Sequence, residues 1–274
     1  MPTPESKKPL APANEPHKAR AMAESFGTDP ERYDRTRPRY PDALVARIAA
    51  AAPGQDVLDV GCGTGIVSRQ FRAAGSTVLG VDVDARMAAY ARDHGLDVEV
   101  GPFETWDAAG RTFDAVVAGQ TWHWVDPVAG ATKAAEVLRP GGRLALFWNV
   151  FRPGPDLADA FAAAHREVLP DSPRNPWDRP TLDAYGAIFA KVADGLRDAG
   201  LFGEPEEWRF DWEATYTRDA WLEQMRTSGE AGTYRPEQLA DLLARTGAAI
   251  DAMGGEFALP YTAVVVTAER AGAA

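Results

Sequence analysis

Apolar residues along the chain fall in short runs separated by stretches of helical periodicity. Residues 56–60, Asp-Val-Leu-Asp-Val, predict a strand, residues 66–74 a helix closed by Gly75, and residues 77–81 a second strand. Asp84 caps the next predicted helix, which runs through Met87 and Tyr90 and stops near Gly95. Residues 98–100, 113–118 and 144–148 predict three more strands, with a helix over 127–138 between the last two. Strands alternating with helices over short connections predict a parallel sheet, covered on both faces and wound right-handed, which is a doubly wound α/β architecture.

The rhythm differs on either side of that block. Residues 1–20 carry Pro2, Pro4, Pro9, Pro12 and Pro16 among polar neighbours, a composition that buries little apolar area and predicts a disordered tail. Residues 21–52 form an N-terminal lid segment with Phe26, Tyr33, Arg35, Arg37 and Tyr40, interrupted by Pro38. They end in a helix that starts at Pro41 and passes through Leu44, Val45 and Ile48 to Pro53-Gly54. After Asn149, residues 156–169 predict helix, whereas 170–180 hold four prolines and must be loop. Helix resumes over 181–199. Two late strands are predicted over 207–215 and 261–267, with helical stretches around 221–226 and 236–250 between them. The expected division is therefore a tail at 1–20, a lid and first helix at 21–52, a ligand-binding core at 53–150, and a C-terminal part of the same domain at 151–274.

Charge narrows the partners. Lys+Arg 29 against Asp+Glu 40 gives −11, a field that repels phosphate backbones and anionic lipid, so neither nucleic acid nor membrane is expected as partner. The lone Cys62 excludes an intramolecular disulfide and any multi-cysteine metal cage, which fits a reducing, cytoplasmic setting, and no metal is expected. No apolar run approaches the roughly 20 residues of a membrane helix, and the lysines near the start are not followed by an apolar stretch.

The most informative string is Leu58-Asp59-Val60-Gly61-Cys62-Gly63-Thr64-Gly65, a strand running into a glycine-dense turn that opens a helix. Glycines there admit positive φ and let a ligand approach the backbone. A dinucleotide fingerprint, G-x-G-x-x-G, requires glycine where Ile66 stands, so an NAD-dependent oxidoreductase is the weaker reading. Asp59 favours the alternative: a carboxylate two residues before the first glycine opposes a docked pyrophosphate but suits a ligand bearing an ammonium and a sulfonium. Asp82 closes the second strand at 82 − 61 = 21 residues past Gly61. At about 20 residues an acid reaches an adenosine ribose.

By these residues the chain resembles the class I S-adenosylmethionine-dependent methyltransferases. Within them it resembles the small-molecule group called methyltransferase type 11, which includes trans-aconitate-methyltransferase-like proteins. The resemblance runs strongly over 26–150 and weakly to the C-terminus. It implies a Rossmann-like seven-stranded sheet in the order 3-2-1-4-5-7-6 with strand seven antiparallel, a helical lid, S-adenosyl-L-methionine as cofactor and S-adenosyl-L-homocysteine as product. In that family the stretch matching Asp59, Gly61, Cys62, Gly63 and on to Gly65 cradles the methionine part and adenosine. Asp82, with Val83 beside it, matches the ribose-binding position, and Met87 matches a residue that packs on adenine. Phe103 and Glu104 fall where the family meets the adenine amino group. Gln120-Thr-Trp122-His123-Trp124 resembles its Q-x-x-H-W loop, and Leu138-Arg-Pro-Gly-Gly142 its lead into strand five. Tyr33, Arg37, Pro38, Tyr40 and Pro41 resemble the lid of this group, which closes over the cofactor. The family's D-x-S is Asp82-Val83-Asp84 here, so helix capping falls to Asp84.

Methyl transfer from a sulfonium is an in-line displacement, in which the protein mainly aligns donor and acceptor and excludes water. A base is needed only if the acceptor arrives protonated, and His123 and Asp126 are the catalytic candidates, with Glu167 and His165 further off. His94 and His165, on predicted helices, are expected to be solvated. Trp122 and Trp124, together with Trp148, Asn149 and Phe151 after strand five, are expected to bind a small-molecule acceptor, because ligands gather at the carboxyl ends of parallel strands. Arg152, Arg174, Arg179 and Arg235 are candidate clamps for an anionic acceptor. The expected function is methyl transfer to a small molecule; a binder of the same cofactor repurposed for other work is the alternative.

Overall fold

The computed structural model describes residues 27–172, 175–178 and 181–272. The expected tail and Phe26, Arg174 and Arg179 lie outside the described residues. The helices are α1 (Pro30–Thr36), α2 (Asp42–Ala51), α3 (Ile66–Ala73), α4 (Ala85–Asp93), α5 (Pro127–Val137), α6 (Pro155–Val168), α7 (Thr181–Ala199), α8 (Arg218–Arg226) and α9 (Pro236–Ala252). The strands are β1 (Asp56–Val60), β2 (Thr77–Asp82), β3 (Asp97–Val100), β4 (Phe113–Gly119), β5 (Leu138–Phe151), β6 (Glu206–Thr217) and β7 (Glu256–Glu269).

They form one seven-stranded sheet in the order β3-β2-β1-β4-β5-β7-β6. The first five strands run parallel, and β7 is antiparallel to both β5 and β6. The expected topology is therefore the observed one. Strands that feed helices on alternate faces must be apolar on both sides, and β4 and most of β5 are buried throughout. One face packs Leu58, Val116, Leu146 and Trp148 against α5 and α7. The other packs Val57, Val117, Ala145 and Phe147 against Leu44 and Ile48 of α2 and Phe71 of α3. Beyond the doubly covered region, the far ends of β5, β6 and β7 carry a third cluster, in which Phe161, Tyr216, Trp221, Phe257 and Tyr261 pack under α6, α8 and α9.

Several boundaries differ from expectation. β5 spans Leu138–Phe151, taking in the Arg-Pro-Gly-Gly stretch expected to lead into it, and the preceding helix stops at Val137. Pro41 caps α2 from outside, and Asp42 is its first residue. Asp84 caps α4 as expected, accepting from Arg86 N. Among the described residues no helix is long and apolar enough to cross a membrane.

Candidate functional site

The carboxyl ends of β1, β2 and β4 open on a cavity of about 330 Å³, at the low end of the roughly 300–1,000 Å³ common for small-molecule sites. Its floor is the turn after β1. Gly61 sits at φ 64°, where a Cβ would come within 2.0 Å of the Thr121 methyl, and Thr121 Oγ1 donates to Gly61 O, so the β1 and β4 turns are tied together. Gly63 sits at φ 56° with nothing within 4 Å of where a Cβ would stand. The cavity therefore reaches the backbone itself.

Asp82 holds that turn from the neighbouring strand. Its Oδ2 accepts from Gly63 N at 2.7 Å and its Oδ1 from Asp84 N at 2.8 Å. Burial raises its carboxyl above the usual value, and the two N–H donors oppose the rise. Val83, Met87, Phe103 and Glu104 continue this wall. One Glu104 oxygen accepts from Asp126 N at 3.1 Å, which fastens the loop after β4 to the Phe103–Thr105 turn.

Asp59 lies one layer behind the cavity, and its carboxylate is not part of the wall. It is fully buried, with Oδ2 taking Ser68 Oγ at 2.6 Å and Oδ1 meeting no partner among the described residues. Burial is the largest cause that lifts it from 3.8 to about 7, and the nearby Asp82 carboxylate adds to the rise. Cys62 is buried against Gly80, and burial pushes its thiol up, which removes it as a nucleophile.

The other wall is built by distant segments. Tyr33 and Arg37 come from α1 and its C-cap, Tyr185 from α7, and Ser228 and Gly229 from the turn after α8. The Arg37 guanidinium lies over the Tyr33 ring and donates to Thr227 O, while Arg32 pairs with Glu223, so α1 is strapped to α8. Residues 39 and 40 are fixed as firmly. Asn149 Nδ2 donates to Arg39 O, and the Gln70 amide meets both the N–H and the carbonyl of Tyr40.

His123 and Trp124 line the cavity from the short turn after β4, reached through Gln120, a non-glycine residue at φ 54° whose amide donates to Asn149 O. His123 Nδ1 accepts from Trp148 Nε1 at 3.3 Å, and burial lowers the ring from 6.5 to about 4.

Of the expected cofactor residues, Tyr33, Arg37, Gly61, Cys62, Gly63, Asp82, Val83, Met87, Phe103, Glu104 and Gln120 all border this one cavity; Asp59 does not. Of the other candidates, His123, Trp124 and Asn149 border it. Five readings are corrected. Asp126 does not border the cavity, and its Oδ1 caps α5 by accepting from Val128 N and Ala129 N. Trp122 is 1% exposed and packs under Phe103, because its side of the turn faces the core. Trp148 is fully buried against Phe189, pointing into the α5–α7 face. Phe151 packs against Trp177 in the third cluster, the two rings tilted at 36°. Asn149 borders the cavity, but its amide is committed to Arg39 O and Trp212 Nε1. His165 is buried, 3% exposed, contrary to expectation, whereas His94 is exposed and stacks on Tyr90. Arg152 pairs with Asp211, and Glu167 pairs with Arg245. Tyr185, Ser228 and Gly229 were not anticipated: they come from segments whose pattern carries no ligand signal.

Comparison with known proteins adds four findings. A family model described as a methyltransferase domain matches residues 58–146. An uncharacterised methyltransferase of Mycobacterium tuberculosis is 30% identical over 268 residues, covering 92% of this chain and 98% of its own. A malonyl-[acyl-carrier protein] O-methyltransferase of Enterobacter lignolyticus is 34% identical over 152 residues, covering 52% of this chain and 59% of its own. Among solved structures, one provisionally named a type II methyltransferase, from Anaeromyxobacter dehalogenans, superposes with a TM-score of 0.63 at 26% identity, covering 86% of this chain and 97% of that one.

Proposed function

Because the chain belongs to the class I S-adenosylmethionine-dependent methyltransferases, we propose that it holds that cofactor on the Gly61–Gly65 turn and transfers the methyl group to a small-molecule acceptor by in-line displacement. When bound, the cofactor supplies an electrophilic methyl on a sulfonium. The observation that carries the reading is the arrangement of two acids around an open backbone. Asp82 already braces Gly63 N, keeps acceptor capacity for ribose hydroxyls, and stands beside a turn that no Cβ obstructs. Asp59, with one buried oxygen unmet, supplies a field that stabilises an ammonium nearby. Met87 and Phe103 offer apolar surface for a purine, and Glu104 an acceptor for its amino group.

The chain's own contribution to transfer is positioning. The α1–α8 strap brings Tyr33 and Arg37 to the cavity, and Tyr185, His123 and Trp124 border it beside them, so that these residues would align the cofactor and the acceptor. The net charge of −11 weighs against nucleic acid as the acceptor.

Calorimetry with S-adenosylmethionine, S-adenosylhomocysteine and NAD tests the site: the first two bind and NAD does not. Asp82→Ala weakens S-adenosylhomocysteine by roughly 1–3 kcal/mol, whereas His123→Ala leaves its affinity within about twofold. Equal losses in both variants would defeat this division of roles. Incubation with methyl-labelled cofactor and extracts of the source organism yields labelled small molecules; binding without any labelled product would leave a binder in place of a transferase.

A further inference from the structure

The pair formed by His123 and Trp148 goes beyond alignment of the substrates. Trp148 belongs to β5, is fully buried, and offers one polar atom, the indole N–H. An indole nitrogen donates and never accepts. The 3.3 Å contact to His123 Nδ1 therefore requires a lone pair on Nδ1, and a neutral imidazole with a lone pair there carries its proton on Nε2. A proton on Nδ1 would set two N–H groups against each other at a part-buried contact, one side of which is the fully buried Trp148. The same conflict meets the imidazolium, so the contact and the burial of the ring both oppose charging it. Among the described residues Nε2 has no hydrogen-bond partner, and His123 borders the cavity.

We infer that Trp148 is a positioning residue that fixes His123 as a neutral imidazole protonated on Nε2, so that His123 donates a hydrogen bond to the acceptor and does not act as its base. The inference rests on the proposed methyl transfer for its substrate side only; the tautomer is a property of the protein alone. It also selects the acceptor class. No lone pair faces the cavity from His123, and Asp126, which caps α5 through Oδ1, does not border the cavity. The charged side chains bordering the cavity are Arg37, Asp82, Asp84 and Glu104; Glu104 is partly committed to Asp126 N, and Asp84 to Arg86. The acceptor that fits is one that arrives already nucleophilic and presents an unprotonated oxygen to Nε2–H. A hydroxyl that must first be stripped of its proton does not fit.

The test is long-range proton–nitrogen correlation spectroscopy on the full-length, nitrogen-15-labelled protein. His123 is assigned among the four histidines by its disappearance in His123→Gln. The expected spectrum shows a protonated Nε2 and a bare Nδ1 that do not titrate between about pH 8 and about pH 5.5. Trp148→Phe removes the N–H while keeping an aromatic ring, and the His123 signals then move toward mixed tautomers or begin to titrate. A proton on Nδ1, an ordinary mid-range titration in the unmodified protein, or an unchanged His123 in a folded Trp148→Phe would each overturn the inference. If Trp148→Phe does not fold, the spectrum of the unmodified protein still decides the tautomer. In the extract assay, His123→Gln keeps a donor without a titratable ring and loses less than about tenfold in label transfer, while His123→Phe loses about a hundredfold or more. Equal loss in the two variants would overturn the donor role. Absence of transfer by the unmodified protein would count against the methyltransferase reading and leave the measured tautomer standing.

Discussion

Asp59 is an acid on a strand buried on both faces, and its environment explains why it holds a proton near neutrality. Ser68 serves one oxygen, the other has no partner among the described residues, and burial raises the carboxyl to about 7. A cation brought to the turn in front of it favours the ionised form, so binding expels a proton; an anion has the opposite effect. S-adenosylhomocysteine, which carries the ammonium, is therefore predicted to bind with net proton release of about half a proton at pH 7. Calorimetry in buffers of different ionisation enthalpy measures this directly, and Asp59→Asn abolishes it. Proton uptake would indicate that the ligand's negative groups dominate at the turn. At this scale the sequence was legible where chemistry and backbone constraint coincide. The glycines and Asp82, which border the cavity, stand where the sequence places them because few other residues tolerate those positions, whereas Asp59 lies one layer behind. Trp148 and Phe151 could not, since in a strand buried on both faces alternation does not say which side opens on a ligand, and here one side faces α7 and the other end the third cluster.

The N-terminal segment is held by contacts that its own sequence does not announce. Asn149, the twelfth residue of β5, links three elements: its amide donates to Arg39 O, accepts from Trp212 Nε1 of β6, and its carbonyl takes the Gln120 amide. Asn149→Ala strands the Trp212 N–H and the Arg39 carbonyl, which is predicted to cost roughly 2–4 kcal/mol. Urea unfolding gives this loss as a lowered midpoint. Because Arg37 and Tyr40 flank the freed carbonyl, the same variant is predicted to weaken S-adenosylhomocysteine, while Phe161→Leu in the third cluster lowers stability without weakening it. Similar losses of affinity in both variants would show that the strap adds nothing specific to the site. Strands β1 to β4 were readable to within a few residues because each is a short apolar run closed by a turn. β5, β6 and β7 proved longer, at 14, 12 and 14 residues. Their outer halves bury against α6, α8 and α9, and the exposed alternate residues of β6 hide that burial from any local pattern. The residues contributed by α7 and the turn after α8 were unreadable for the same reason: tertiary packing alone brings them to the cavity.

Across the whole molecule, buried titratable groups pull stability in opposite directions over one pH range. Between about 4 and 6.5 the unfolded chain protonates the histidine at 123 and the folded chain does not, so this residue makes stability rise with pH by about 1.4 kcal/mol per unit. Between 3.8 and about 7 the folded chain keeps the Asp59 proton that the unfolded chain gives up, so stability falls with pH at the same rate. Buried Asp82 works in the sense of Asp59, and buried His165 in the sense of His123. Asp84, Asp114 and Glu99 are held low against arginines, and Glu206 by the Trp208 N–H and then Arg143; their contribution is lost only as the pH falls below the ordinary carboxylate range. The free protein is therefore predicted to change little in stability from about pH 4.5 to about pH 6.5, because opposed proton equilibria cancel. Removing one side exposes the other: Asp59→Asn gains stability relative to the unmodified chain as the pH rises through this window, and His123→Gln loses it. A saturating cationic ligand acts like the first substitution, by ionising Asp59, so the bound protein also gains with pH. Thermal midpoints of the three proteins across the window measure the differences, and parallel curves for Asp59→Asn and the unmodified chain would mean that Asp59 is ionised in the free protein and that its field acts on the turn as a full charge before any ligand arrives.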